Sequence, residues 1–272
     1  MAARSGNKYP QLILLGDSIF QNTQLLRDGF SFQAGLQERA LTGFRYQMDH
    51  ILSRSHFISL HFIFSHHNSG YNTANISVIL PHLIPSTSAA RVDYLLLLLG
   101  SNDACLPDNP TGQHVPLEKY RANLEGILTH PSIIAHDPTI LLVTPPPINE
   151  VHLQEQDFAK GQAAVSRHQA VTAKYADVVR HIAEDATNKK VVLVDLWAAL
   201  MKEAARFTPN YVDDGTIIGS LEKGDNQGLR ALLNDGLHLT GAGYRVFLDE
   251  VVPFVGPEWA REPETDPSWI FP

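Results

Sequence analysis

Four short apolar runs punctuate the chain, at residues 11–15, 92–99, 139–144 and 190–195, and each stops at turn-forming residues. Runs of this length that are mostly apolar, rather than alternating, are what parallel strands covered on both faces require. Helical spacing fills the gaps. Leu117, Tyr120, Leu124, Ile127 and Leu128 follow Pro116, a residue suited to a helix start. Val171, Tyr175, Val178 and Ile182 mark a helix over roughly 160–186, and 196–205 has the same character. Thr240 is a plausible N-cap for a last helix running to about Val252. Strands alternating with helices predict an α/β fold with right-handed crossovers. In such sheets ligands gather beyond the carboxyl ends of the strands. Ser18, Asn102 and the loop Pro145-Pro146-Pro147 all fall there, on one rim.

The bulk properties set outer limits. With 272 residues, 44% of them hydrophobic and 18% charged, the chain has material for a full core and no general sign of disorder. The net charge is −8 and no basic cluster could track phosphates, so nucleic acid is not an expected partner. Cys105 is the single cysteine, which excludes an intrachain disulfide. Arg4 and Lys8 ahead of Leu12-Ile13-Leu14-Leu15 faintly imitate a signal peptide, but that stretch is short and runs into Gly16-Asp17-Ser18 without a cleavage site. No uninterrupted apolar run is longer than 94–99, which is too short to span a bilayer. The expectation is a soluble, cytoplasmic protein with no membrane span. Whether it forms a homo-oligomer is left open.

The chemistry is suggested by residues at opposite ends of the chain. Ser18 closes the first strand, and Asp235 and His238 stand three residues apart before the last helix. A serine hydroxyl is a weak nucleophile that needs a base, usually histidine, oriented by a carboxylate. Alone, Gly16-Asp17-Ser18 is as well explained by a strand-to-helix turn. Two more blocks add weight. Ser69-Gly70-Tyr71-Asn72-Thr73 precedes a helix-like segment, and Gly100-Ser101-Asn102-Asp103 closes the most apolar strand. Acyl transfer needs fixed donors aimed at an oxyanion. The Gly70 and Ser18 backbone N–H groups and the Asn102 amide have the right chemistry.

These four blocks in this order resemble the SGNH, or GDSL, hydrolase superfamily, from about residue 11 to 252. The wording of 102–107, 143–147 and 235–240 is similar to its isoamyl acetate-hydrolysing esterase branch. The resemblance implies a flavodoxin-like three-layer α/β/α sandwich. It makes Ser18 the nucleophile, His238 the base, Asp235 its orienting carboxylate, and Gly70, Asn102 and Ser18 the oxyanion donors. It also implies hydrolysis of short acetate esters through an acyl-enzyme, with a small-molecule ester as substrate and no cofactor. Lysophospholipases, thioesterases and carbohydrate deacetylases share these motifs. There is no Gly-x-Ser-x-Gly elbow and no His-Glu-x-x-His motif. Nucleotide binding on the same fold is disfavoured, because the loop after strand one is not glycine-rich.

Residues 1–272 are therefore expected to form a single hydrolase domain with a core at about 11–252 and a tail at 257–272. Residues 41–67 exceed what the branch usually has and occupy the place of the second strand. They read either as an insertion at the rim or as a translated intron. If they disrupt the site, the alternative is a catalytically silent binding or scaffold protein. His50, His56, His61, His66 and His67 in this stretch match no standard zinc spacing, so no metal site is expected. Cys105, Trp197 and Phe247 read as packing residues, and Asp17 and Asp103 as turn residues or supports beneath the site.

Overall fold

The computed structural model describes residues 10–45, 59–62, 70–186 and 190–256. Five parallel strands form one sheet: β1 (Pro10–Gly16), β2 (Ser59–Phe62), β3 (Arg91–Leu98), β4 (Thr139–Val143) and β5 (Val191–Val194), in the order β2-β1-β3-β4-β5. This is the flavodoxin-like strand order, whose connections reverse direction between β1 and β3. The helices are α1 (Ser18–Gln21), α2 (Phe32–Arg45), α3 (Thr73–Leu83), α4 (Leu117–Leu128), α5 (Pro131–Ile134), α6 (Glu150–Ala159), α7 (Gln169–Asp185), α8 (Leu196–Phe207), α9 (Gln227–Leu232) and α10 (Gly241–Val251).

The all-apolar strands are explained by two cores. Side chains alternate across a strand, so Leu12, Leu14, Leu96, Leu98, Leu141 and Val143 face one layer. There they meet Phe32 of α2, Leu200 of α8, Leu229 of α9 and Phe247 of α10. Ile13, Leu15, Leu95, Leu97, Ile140 and Leu142 face the other layer, built from Ile76 and Leu80 of α3, Leu124 of α4 and Val179 of α7. The result is a three-layer α/β/α sandwich.

The sheet register levels the strand ends: Gly16 pairs with Leu98, Leu98 with Val143, and Val143 with Val194. Residues just beyond these positions share one rim. The strands lie within a residue or two of their expected places. The second strand expected within 41–67 is β2, which pairs in parallel with β1 from Gln11↔Ser59 to Leu14↔Phe62. Within that stretch 41–45 also complete α2; the rest, with His50, His56, His66 and His67, lies outside the described residues, as do the beginning of the chain and the 257–272 tail.

The helix expected over 160–186 needs correcting. It starts at Gln169 and is preceded by α6. Gly161 takes a left-handed φ of +81°, ending α6, and the Asp157 carboxylate accepts the Ser166 N–H at 2.7 Å, stabilising the connection. Trp197 is also not fully in the core: it is half-buried, with the Arg180 guanidinium 5.3 Å from its ring centroid. Phe247 and Cys105 are fully buried.

Candidate active site

Ser18 begins α1 immediately past the end of β1. The Asp17 side chain caps this short helix by accepting the Ile19 N–H at 2.9 Å. Asp17 is fully buried and Ser18 is 8% exposed. At the other end of the chain, a tight loop presents Asp235 and His238. Its base is an antiparallel bridge between Leu233 and Leu239, and the Asn234 N–H donates to the His238 carbonyl at 2.7 Å. Gly236 has φ +83°, and a Cβ there would lie 2.5 Å from the Leu153 backbone nitrogen, so both conformation and space call for glycine.

Asp235 organises this loop with both oxygens. Oδ1 accepts the Leu237 and His238 N–H groups at 3.1 and 2.8 Å, which leaves Oδ2 directed at His238 Nδ1, 2.8 Å away. A carboxylate only accepts, so Nδ1 carries the proton and Nε2 is the basic nitrogen of the neutral ring. Nε2 lies 2.9 Å from the Ser18 hydroxyl across 220 residues of sequence. Burial pushes the Asp235 carboxyl upward. The His238 hydrogen bond, the positive charge that the ring carries once protonated and the two backbone donors outweigh that, holding it well below the usual carboxylate range.

What brings the chain ends together is packing around α10. Thr240 caps this helix by accepting the Gly243 N–H at 3.1 Å. The buried Tyr244 hydroxyl donates to the Ile19 carbonyl at 2.6 Å, and Phe247 stacks on Phe20 and Phe32 with centroids 5.8 and 4.6 Å apart. These contacts join α10, which follows His238, directly to α1, which carries Ser18.

Gly70 and Asn102 converge on the same rim. Asn102 follows β3, and its Nδ2 donates to the Tyr71 carbonyl at 2.9 Å and approaches Asp17 Oδ2 at 3.5 Å. The first contact joins Asn102 to the Gly70–Tyr71 turn; the second places it beside the Ser18 turn. Gly70 has φ +87° and leads into α3, which is capped reciprocally by Asn72 and Asn75. The Tyr71 contact leaves one Nδ2 hydrogen with only the distant Asp17 oxygen as a partner, which suits it to bond a substrate oxygen.

Beneath the rim lies a buried polar layer. Asp103 Oδ1 accepts the Thr73 N–H and hydroxyl at 2.9 and 2.5 Å, and Asn123 Nδ2 donates to Thr73 Oγ1 at 2.9 Å. Burial raises the carboxyls of both Asp17 and Asp103 to about 6, against their hydrogen bonds, and burial together with these two carboxylates pushes the Tyr120 hydroxyl well up. Arg167 and Gln113 also reach this neighbourhood, contacting Asn102 and Gly70. Sequence motifs pointed to neither, since both lie in connecting segments. The one usable hint was an arginine just ahead of a strongly periodic helix, a weak signal. Among the described residues no group of three or more His, Cys, Asp or Glu is arranged to hold a metal ion, and no helix is long and apolar enough to cross a membrane.

A serine hydrogen-bonded to a histidine–carboxylate pair, at the carboxyl rim of a doubly wound parallel sheet, defines a class of protein: the serine-type α/β/α hydrolases. Comparison with known proteins narrows the class. The model of the GDSL-like lipase/acylhydrolase family matches residues 14–246, and the chain belongs to that family. It is a carboxylic ester hydrolase. It is 27% identical over 263 residues to the human isoamyl acetate-hydrolyzing esterase 1 homolog, covering 96% of this chain and 87% of that one. It is 26% identical over 257 residues to a GDSL esterase/lipase of Arabidopsis thaliana, covering 94% and 89%. Among solved structures, an acetylxylan esterase from Geobacillus stearothermophilus shares the fold with a TM-score of 0.53 at 19% identity, covering 96% of this chain and 100% of that one.

Proposed function

We propose that this chain is a serine esterase acting on short-chain carboxylic esters, acetates foremost, through an acyl-enzyme, and that residues 1–272 work as a single hydrolase domain. The observation that carries the reading is the relay Ser18–His238–Asp235, with contacts of 2.9 and 2.8 Å. Similarity to isoamyl acetate-hydrolyzing esterase homologs over nearly the whole chain supports the acetate preference.

In this mechanism Ser18 Oγ attacks the ester carbonyl as its proton passes to His238 Nε2. Asp235 keeps the ring oriented and stabilises the imidazolium that forms. The carbonyl oxygen becomes an oxyanion, held by the N–H groups of Ser18 and Gly70 and by Asn102 Nδ2–H. The tetrahedral species collapses, the C–O bond to the alcohol breaks, and His238 returns the proton to the departing alkoxide. Water then attacks the acyl-serine, giving its proton to His238, and the second collapse frees the acid and restores the Ser18 hydroxyl. All proton transfers run through one nitrogen, so no cofactor enters the cycle.

The test is a series of chromogenic esters from acetate to decanoate with the wild type and Ser18→Ala. The expected result is a kcat/KM that falls as the acyl chain lengthens and hydrolysis lost in the variant. A preference for long acyl chains would replace the acetate assignment with a lipase-type one. Retained turnover in Ser18→Ala would remove Ser18 as nucleophile.

A further inference from the structure

Arg167 and Gln113 stand outside the four motif blocks, yet between them they touch both outlying oxyanion donors. Arg167 lies just ahead of α7 and is 5% exposed. Its Nε donates to the Ser101 carbonyl at 2.6 Å and its Nη1 to Ser166 Oγ at 3.1 Å. Its Nη2 is shared between Asn102 Oδ1 and Gln113 Oε1, each at 3.1 Å. Gln113 Nε2 then donates to the Gly70 carbonyl at 3.3 Å, while the main-chain carbonyl of Gln113 accepts Asn72 Nδ2 at 2.9 Å.

The polarity of this network is forced. A guanidinium only donates and a peptide carbonyl only accepts. Asn102 is held between Arg167 and the Tyr71 carbonyl, so its oxygen must face the arginine and its NH₂ the rim. Gln113 is held in the same way between Arg167 and the Gly70 carbonyl. Flipping either amide would set NH₂ against the guanidinium and oxygen against a carbonyl. Buried charges are normally paired with an opposite charge. Here all four groups accepting from Arg167 are neutral, and its positive field reaches the rim, where it also acts on the buried Asp17 carboxyl.

We propose that Arg167 is a positioning residue for ester hydrolysis, with Gln113 as its relay. It holds the Asn102 amide with Nδ2 toward the reacting carbonyl, keeps the Gly70 turn in register with it, and polarises the amide so that Nδ2–H becomes a stronger donor. The assignment rests on Gly70 and Asn102 being the oxyanion donors. Removing one such donor typically costs about 10²–10³ in turnover, which sets the ceiling for a residue that acts through it.

The experiment measures kcat and KM on a chromogenic acetate ester, together with melting temperature, for Arg167→Met, Arg167→Lys, Gln113→Met, Asn102→Ala and the Arg167→Met/Asn102→Ala double variant. The expected result for Arg167→Met is a kcat lower by about 10²-fold with KM near wild type. Arg167→Lys should recover part of it by restoring the charge, and Gln113→Met should lose about tenfold. The decisive reading is coupling: with Asn102 already removed, Arg167→Met should cost far less than it does alone. A kcat for Arg167→Met within about twofold of wild type, or losses that simply multiply in the double variant, would overturn the assignment. Should Arg167→Met fail to fold, the half-buried Gln113 decides, and a wild-type kcat in Gln113→Met would refute it. Hydrolysis that survives Ser18→Ala would instead sink the underlying esterase reading and this assignment with it.

Discussion

At the scale of single residues, the geometry of Asp235 makes a sharp prediction. Its Oδ1 is held by two backbone N–H groups, which only donate. In Asp235→Asn the amide oxygen must stay on those donors, so the NH₂ faces His238 Nδ1 and drives the ring proton onto Nε2. That nitrogen could then no longer accept from Ser18. The expected loss in kcat is about 10⁴-fold, the size such a tautomer error produces in serine proteases, with melting temperature little changed. A loss below about tenfold would show that Asp235 does not set the tautomer. Ser18→Ala should lose at least about 10³-fold, measured with the same chromogenic ester. These residues were legible because their chemistry is scarce and their motifs short. Arg167 and Gln113 were not. Their significance comes from what they touch across 54 residues of sequence, and no local pattern encodes that.

At the scale of elements, the strands were legible because a parallel strand covered on both faces leaves a mostly apolar run, as β1, β3 and β4 do, and the half-buried edge strand β5 is apolar as well. The final helix was legible from its Thr240 cap. The 160–186 segment misled because apolar spacing continues across Gly161, where a left-handed turn separates α6 from α7. Two predictions belong here. Gly236→Ala strains a left-handed position and drives a methyl group against the Leu153 backbone. It should cost about 1–3 kcal/mol by chemical denaturation and lower kcat as the Asp235–His238 loop shifts. An unchanged denaturation midpoint would show that the loop relaxes freely. Tyr244→Phe removes the buried bond to the Ile19 carbonyl. About 1–2 kcal/mol of stability should go with it, measurable by the same denaturation, because that carbonyl is left without its partner.

At the scale of the whole molecule, stability should carry the mark of two buried acids. Asp17 and Asp103 have carboxyls raised to about 6 in the folded protein, whereas the unfolded chain releases these protons near 3.8. Between those values the folded state binds more protons than the unfolded one, so their contribution is full below about pH 4 and is lost as pH rises through 6. Asp235 acts in the opposite sense: its depressed carboxyl stabilises the fold above the ordinary carboxylate range, and that contribution fades in stronger acid. Asp103→Asn keeps an oxygen for the Thr73 donors but cannot titrate. Relative to wild type, it should gain about 3 kcal/mol between pH 4 and 7, as a shift of about two units implies. Parallel curves for the two proteins in denaturant titrations across that range would show that Asp103 titrates normally. The sequence alone determined the layered architecture and the kinds of groups at the site, because strand burial, helix caps and short motifs are local properties with a local signature. Only the tertiary structure decided that residues 18 and 238 meet at 2.9 Å, that the amide of residue 102 points its NH₂ outward, and that an arginine from before α7 holds it there. Those facts depend on level strand ends, the stacking of Phe20, Phe32 and Phe247, and hydrogen-bond polarity closing across distant segments, which exist only once the chain has packed.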